Sequence, residues 1–204
     1  MKIIGITGGV GAGKSEILSF IRQNYACEIY LADEVAHKVK EKGEPCYDRL
    51  VELLGKEVLD EDGQINKGRM AAIIFADEVI LQKVNEIIHP GVKEYILEKM
   101  KQAAKKPDVQ YFFIEAALLI EAGYREVVDE LWYIYADKEV RKKRLQANRG
   151  YSLEKIEQIM NSQLPEEVFL QYSDFVIDNS GEIGDSYNQI RKRLKNEVIV
   201  NETV

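Results

Sequence analysis

Along this chain, short continuous apolar runs alternate with longer amphipathic stretches. Ile3 to Thr7, Cys27 to Ala32, Tyr111 to Ile114, Leu131 to Ala136 and Phe175 to Ile177 read as strands. Their apolar residues run on without alternation, which is the pattern of parallel strands covered on both faces. Between them lie segments with helical spacing, beginning with Ser15 to Tyr25 and closing with a polar helix over residues 182–196. Strands that alternate with helices predict βαβ units and a parallel sheet. The stretch 34–106 reads as helical throughout. Pro45 starts one helix, Gly55 and Gly63 interrupt the pattern, and His89-Pro90-Gly91 breaks it before a helix of Val92 to Lys105. A second helical excursion covers 138–172, and Glu197 to Val204 reads as a loose tail.

The glycines after the first strand carry the chemistry. Gly8-Gly9-Val10-Gly11-Ala12-Gly13-Lys14-Ser15 fits G-x-x-x-x-G-K-[ST] in full, with a strand before it and a helix after it. A phosphate chain needs many converging donors, and backbone N–H groups converge only where glycines let the loop fold tightly. The following helix adds its N-terminal N–H groups. The segment Gly9, Val10, Gly11, Ala12, Gly13, Lys14, Ser15 and Glu16 is therefore the candidate ATP cradle, with Lys14 directed to the β/γ-phosphates and Ser15 offering a hydroxyl to Mg²⁺.

Three further features admit two readings each. Asp33 directly follows the second strand, at the carboxyl end of the sheet where ligands bind. It is either a general base for an attacking hydroxyl or the N-cap of the next helix. Glu115 ends the third strand, as a metal-side acid or as a solvent-facing carboxylate. Arg141, Lys142, Lys143, Arg144 and Arg149 form either a clamp on the transferring phosphoryl group or a solvated face, the latter preferred for the two lysines.

Composition sets the class. At 204 residues, 46% hydrophobic and 31% charged, the chain suits one soluble domain with a lid or insertion. A net charge of -7 argues against nucleic acid as a partner, because that binding rests on neutralising phosphates. Cys27 and Cys46 have neither CxxC spacing nor companion histidines, so neither a disulfide framework nor a zinc site is expected. With no signal-peptide pattern and no apolar run of membrane length, no membrane role and a cytoplasmic location are expected.

The combined motifs resemble the dephospho-CoA kinase family. Ile4 to Ser15, Ala32-Asp33, Ile88-His89-Pro90, Leu118-Leu119-Ile120-Glu121 and Asp174-Phe175-Val176-Ile177-Asp178-Asn179-Ser180-Gly181 occur in the family's order. The resemblance implies an α/β fold, a P-loop NTPase-type parallel sheet flanked by helices, within a single kinase domain. Its core would comprise 1–33, 107–137 and 173–196, with a helical CoA-binding insertion at about 34–106 and a helical lid at about 138–172. It implies transfer of the ATP γ-phosphate, with Mg²⁺, to the ribose 3′-hydroxyl of dephospho-CoA. Asp33 and Lys14 would be catalytic, and Asp33, His89 and Leu118 would meet the acceptor. Ser15 and Glu115 would face the metal. No obligate protein partner is inferred.

The chain departs from the family pattern in three places. Glu16 stands where Thr is usual, Glu115-Ala116 where Asp-Pro is usual, and Asn148-Arg149-Gly150 where Arg-Asp-Gly is usual. The last change displaces the arginine by one residue, about 100° around a helix. Arg144 and Arg149 rank ahead of Arg141 as γ-phosphate contacts. A nucleoside-monophosphate or shikimate kinase is the nearest alternative. A GTPase would need Asn-Lys-x-Asp, which the sequence lacks, and intact Lys14, Ser15 and Asp33 argue against a non-catalytic nucleotide-binding protein.

Overall fold

The computed structural model describes the backbone of residues 1–198 and the side chains of residues 1–194. The five apolar runs form one parallel sheet of order β2-β3-β1-β4-β5. Its strands are β1 (Lys2–Thr7), β2 (Cys27–Leu31), β3 (Tyr111–Glu115), β4 (Glu130–Tyr135) and β5 (Phe175–Asp178). In the central ladder Gly5 pairs with Ile114 on one side and Leu131 on the other. Ile4, Ile6, Phe112, Phe113, Ile114, Leu131, Trp132 and Ile134 are all fully buried, which is why these strands read as unbroken apolar runs. Trp132 packs edge-on between Phe113 and Phe175, tying three strands together.

The chain divides into two compact units. One comprises Met1–Ile29 and the chain from Asp108 on; the other is Tyr30–Pro107. The first holds the sheet apart from the last two residues of β2, together with α1 (Lys14–Asn24), α6 (Lys138–Arg149), α7 (Leu153–Asn161), α8 (Glu166–Tyr172) and α9 (Ile183–Val198). α9 carries helix to Val198, into the stretch expected to be tail; the rest of that stretch, 199–204, lies outside the described residues.

The second unit contains α2 (Ala32–Lys38), α3 (Tyr47–Leu54), α4 (Lys67–Ala76) and α5 (Glu78–Ala103). It is not helical throughout. After Gly55, where φ is 85°, a single 3₁₀ turn and an antiparallel bridge between Leu59 and Ile65 make a tight excursion. The Tyr47 hydroxyl pins its tip by donating to the Gly63 carbonyl. Asn66 and Asp77 cap α4 and α5 by accepting backbone N–H groups, the device that satisfies orphan donors at a helix start.

The expected break at His89-Pro90-Gly91 is absent, because α5 runs straight through Pro90. A proline forfeits one hydrogen bond of the helix ladder. Against that loss stands a buried stripe, Val84, Ile87, Ile88, Gly91, Val92 and Ile96, at helical spacing. Cys46 Sγ packs against Gly91 so closely that any Cβ there would collide with it, and the thiol donates to the Ile87 carbonyl at 3.5 Å. Packing therefore holds the helix across the proline. Among the described residues no helix is long and apolar enough to cross a membrane.

Candidate functional site

The first unit builds its site where β1 meets α1. The loop turns through Gly11 (φ 80°) and Gly13 (φ 91°), left-handed conformations that favour glycine. Gly13 is also the N-cap of α1, so the helix opens with no side chain across its mouth. The N–H groups of Gly11, Gly13 and Ser15 make no hydrogen bond within the described residues, which leaves donors for an anion. Lys14 Nζ donates to the Gly8 carbonyl at 2.8 Å and lies 3.8 Å from Glu115 Oε1, at the end of the neighbouring strand β3. Ser15 is exposed at the first turn. Glu16 faces outward: its carboxylate accepts from the Tyr187 hydroxyl at 2.8 Å, and Tyr187 stacks on Phe20 at 4.0 Å. That carboxylate in turn raises the Tyr187 phenol above its usual range.

Sequence reasoning singled out the segment ending at Gly181 but assigned Asn179 no task. Asn179 is 1% exposed, at the end of β5. Its Nδ2 donates to the Ala12 carbonyl at 2.7 Å, and the amide sits where a Cβ on Gly13 would fall. The Ser186 hydroxyl lies 2.9 Å from Asn179 Oδ1 and 3.0 Å from the Asp178 carbonyl, and donates to one at a time. The phosphate loop is thus held from behind by a buried amide. At the start of the loop, the Thr7 hydroxyl is buried and has no hydrogen-bond partner among the described residues.

The arginines divide by helix face. Arg141 Nε donates to the Val10 carbonyl at 2.8 Å, and its guanidinium lies over Gly9, where a Cβ would have to displace it. A second nitrogen of Arg141 donates at 2.9 Å to Gln163 Oε1, which also accepts the Val10 N–H at 3.1 Å. Burial holds the Arg141 guanidinium below its usual range, offset in part by Tyr133 and Glu166, and it remains charged at neutral pH. No carboxylate forms an ion pair with it among the described residues. Arg144 reaches the Ala12 carbonyl at 3.5 Å. Arg149, ranked above Arg141 from the sequence, is exposed at the end of α6 beside Tyr151, its guanidinium carbon 6.0 Å from the ring. Lys142 pairs with Glu139 at 3.0 Å, as a surface residue does.

Leu118 is 53% exposed in the turn after β3. In the second unit, Asp33 lies in the first turn of α2 and is exposed. The N-cap of α2 is Leu31 and no side chain caps it, so the capping alternative for Asp33 falls away. His89 is exposed on α5.

The comparisons with known proteins agree with one another. The sequence model of the dephospho-CoA kinase family matches residues 2–185. The dephospho-CoA kinase of Aquifex aeolicus is 38% identical over 192 residues, 94% of this chain and 95% of its own. The solved dephospho-CoA kinase of Campylobacter jejuni superposes with a TM-score of 0.74 at 24% identity, over 98% of this chain and 100% of its own. Shikimate kinase from Acinetobacter baumannii superposes with a TM-score of 0.52 at 13% identity, over 100% and 96% of the two chains. The two structural likenesses concern fold alone.

Proposed function

This chain belongs to the dephospho-CoA kinase family, an ATP-dependent kinase family of coenzyme A synthesis, and from that premise we propose how its own residues act. The acceptor oxygen is the ribose 3′-hydroxyl of dephospho-CoA. It forms a new bond to the γ-phosphorus of ATP as the bond from that phosphorus to the bridging oxygen breaks, and ADP leaves with the bond's electron pair. Asp33 takes the hydroxyl proton. The free N–H groups of Gly11, Gly13 and Ser15 bind the nucleotide's phosphates, and Lys14 carries positive charge to the transferring group. Arg141 and Arg144 neutralise charge spread over the γ-oxygens, and Arg149 belongs to the same lid, 138–172. The unit Tyr30–Pro107 is the acceptor-binding insertion, and His89 and Leu118 meet the acceptor.

Ser15 and Glu115 suit Mg²⁺: both are hard oxygen donors, and Glu115 already stands 3.8 Å from the P-loop lysine. When bound there the ion offsets negative charge on the β- and γ-phosphates. The protein works in the cytoplasm, with neither nucleic acid nor membrane as partner.

The observation that carries this reading is the half-buried Arg141, unpaired with any carboxylate among the described residues and laid against an amide-lined loop. A cation kept in that setting is matched by an anion. The test is ADP release with dephospho-CoA, adenosine, nucleoside monophosphates and shikimate as separate acceptors. Dephospho-CoA is expected to give by far the highest kcat/KM. A higher value with shikimate or a nucleoside monophosphate refutes the assignment.

A further inference from the structure

Glu16 is the third residue of α1 after its N-cap, Gly13. A glutamate at that position commonly folds back so that its carboxylate accepts the backbone N–H of the N-cap residue. Here that N–H belongs to Gly13 and is one of the free donors of the phosphate loop. The dipole of α1 draws a negative side chain in the same direction. Left to itself, Glu16 would occupy a donor that the nucleotide needs and would set a negative charge beside the phosphates.

In the structure the carboxylate is held elsewhere. Its Oε1 accepts from the Tyr187 hydroxyl at 2.8 Å. Tyr187 is itself fixed, because its ring stacks on Phe20 with centroids 4.0 Å apart and planes 8° from parallel. Phe20 is 6% exposed and stands one turn after Glu16 on α1. Arg191 stands one turn after Tyr187 on α9, its guanidinium carbon 5.0 Å from the centre of the Phe20 ring. One face of α9 is thus laid along one face of α1, at matching spacing. The Tyr187 ring supplies the packing, and the bond to Glu16 is what its hydroxyl adds. That bond pushes the phenol above its usual range, so at neutral pH the hydroxyl keeps the proton it donates.

We propose that Tyr187 is a positioning residue for ATP: its hydroxyl holds the Glu16 carboxylate off the N-terminus of α1 and keeps the Gly13 N–H open to phosphate. The inference rests on the ATP-binding role given to the loop above and deepens it. It names a residue on α9 that acts on the cradle through Glu16, without touching the nucleotide. Asn179 braces the loop from behind, whereas Tyr187 keeps its mouth clear.

The test is calorimetric titration of the full chain with ATP, alongside steady-state kinetics. Tyr187→Phe keeps the stack on Phe20 and deletes only the hydroxyl. It should weaken ATP binding about fivefold, or about 1 kcal/mol, and raise the KM for ATP to match. The kcat and the KM for dephospho-CoA should stay within about twofold, and the variant should melt close to wild type. Glu16→Ala supplies the second background, because alanine has no carboxylate to fold back. There the same Tyr187→Phe change should alter ATP affinity less than about twofold. An ATP affinity for Tyr187→Phe within about twofold of wild type overturns the proposal. An equal loss in both backgrounds also overturns it, as the mark of packing or of direct contact with the nucleotide. A lowered kcat with unchanged ATP binding overturns it as well. The titration needs no acceptor, so a wrong choice of acceptor leaves its outcome unaffected, whereas a wild-type chain that binds no ATP overturns both the loop's role and this one.

Discussion

Replacing Asn179 by Ala removes the amide that holds the phosphate loop from behind. The side chain is 1% exposed, so water does not take its place freely. Its Nδ2 bond to the Ala12 carbonyl, 2.7 Å long, is lost, and that carbonyl keeps only the long 3.5 Å contact from Arg144. The Ser186 hydroxyl keeps an acceptor, because the Asp178 carbonyl is 3.0 Å away. Loss of the one short bond to a buried acceptor costs about 1–3 kcal/mol, and the lost packing of the amide adds about 1 kcal/mol. A chain of this size shifts by roughly 2–4 °C per kcal/mol, so the melting temperature should fall by roughly 4–16 °C. The loop's own function should suffer more. Gly13 rests against the amide and caps α1, so the N–H groups of Gly11, Gly13 and Ser15 lose their common anchor. ATP affinity should drop more than about tenfold, over 1.4 kcal/mol. Ser186→Ala is the control. It unpairs Asn179 Oδ1 but leaves the bond to Ala12 in place, so stability should fall by about 1 kcal/mol with ATP affinity close to wild type. Thermal melts and ATP titration of both variants decide the matter. An Asn179→Ala protein that binds ATP within about twofold of wild type refutes the idea that this amide positions the loop.

Lys14→Ala should lower kcat/KM by at least about 10²-fold, and near-normal turnover in a folded variant would remove the loop from the mechanism. Asp33→Asn keeps the shape and deletes the proton acceptor, so kcat should fall about 10²–10⁴-fold with the KM for ATP unchanged; weakened ATP binding with intact turnover at saturation would instead make Asp33 a nucleotide contact. Arg141→Ala should cut kcat at least about tenfold, whereas Arg149→Ala, at an exposed helix end, should cut it by less than about threefold. Steady-state kinetics of the pair test that order, and the reverse order would return the γ-phosphate contact to Arg149.

The parts of the site that were legible in the sequence are those whose chemistry is local. Gly8 to Ser15 announces itself because its work is done by adjacent backbone groups, and the residues that permit those dihedrals must be neighbours. Asn179 lies 167 residues from its partner Ala12, so no spacing rule links them. The break expected at Pro90 failed for the opposite reason: a strong local propensity was overridden by a packed stripe that extends on both sides of the proline. Lys40, in the turn after α2, and Lys67, at the start of α4, are 27 residues apart and come to line one cavity only in the fold, so no spacing rule links them.

The arginines are the instructive case, because their placement in the structure follows from the pattern of α6. Within the basic run from Lys138 to Arg149, Leu145 is the apolar residue that becomes buried, 3% exposed, with its Cγ beside Gly11. The one large apolar side chain in the middle of a polar helix marks the face that packs. Residues four before it and one before it, Arg141 and Arg144, flank that face, and both reach carbonyls of the phosphate loop. Arg149 is four residues beyond Leu145, near the same stripe, but the helix ends there at Gly150, whose φ is 61°, and the side chain turns to Tyr151. Helical spacing alone places Arg149 near the loop-facing stripe; in the structure the helix ends there and its guanidinium lies beside Tyr151. The distinction between Arg141 and Arg149 therefore lies in where α6 stops relative to its one buried leucine.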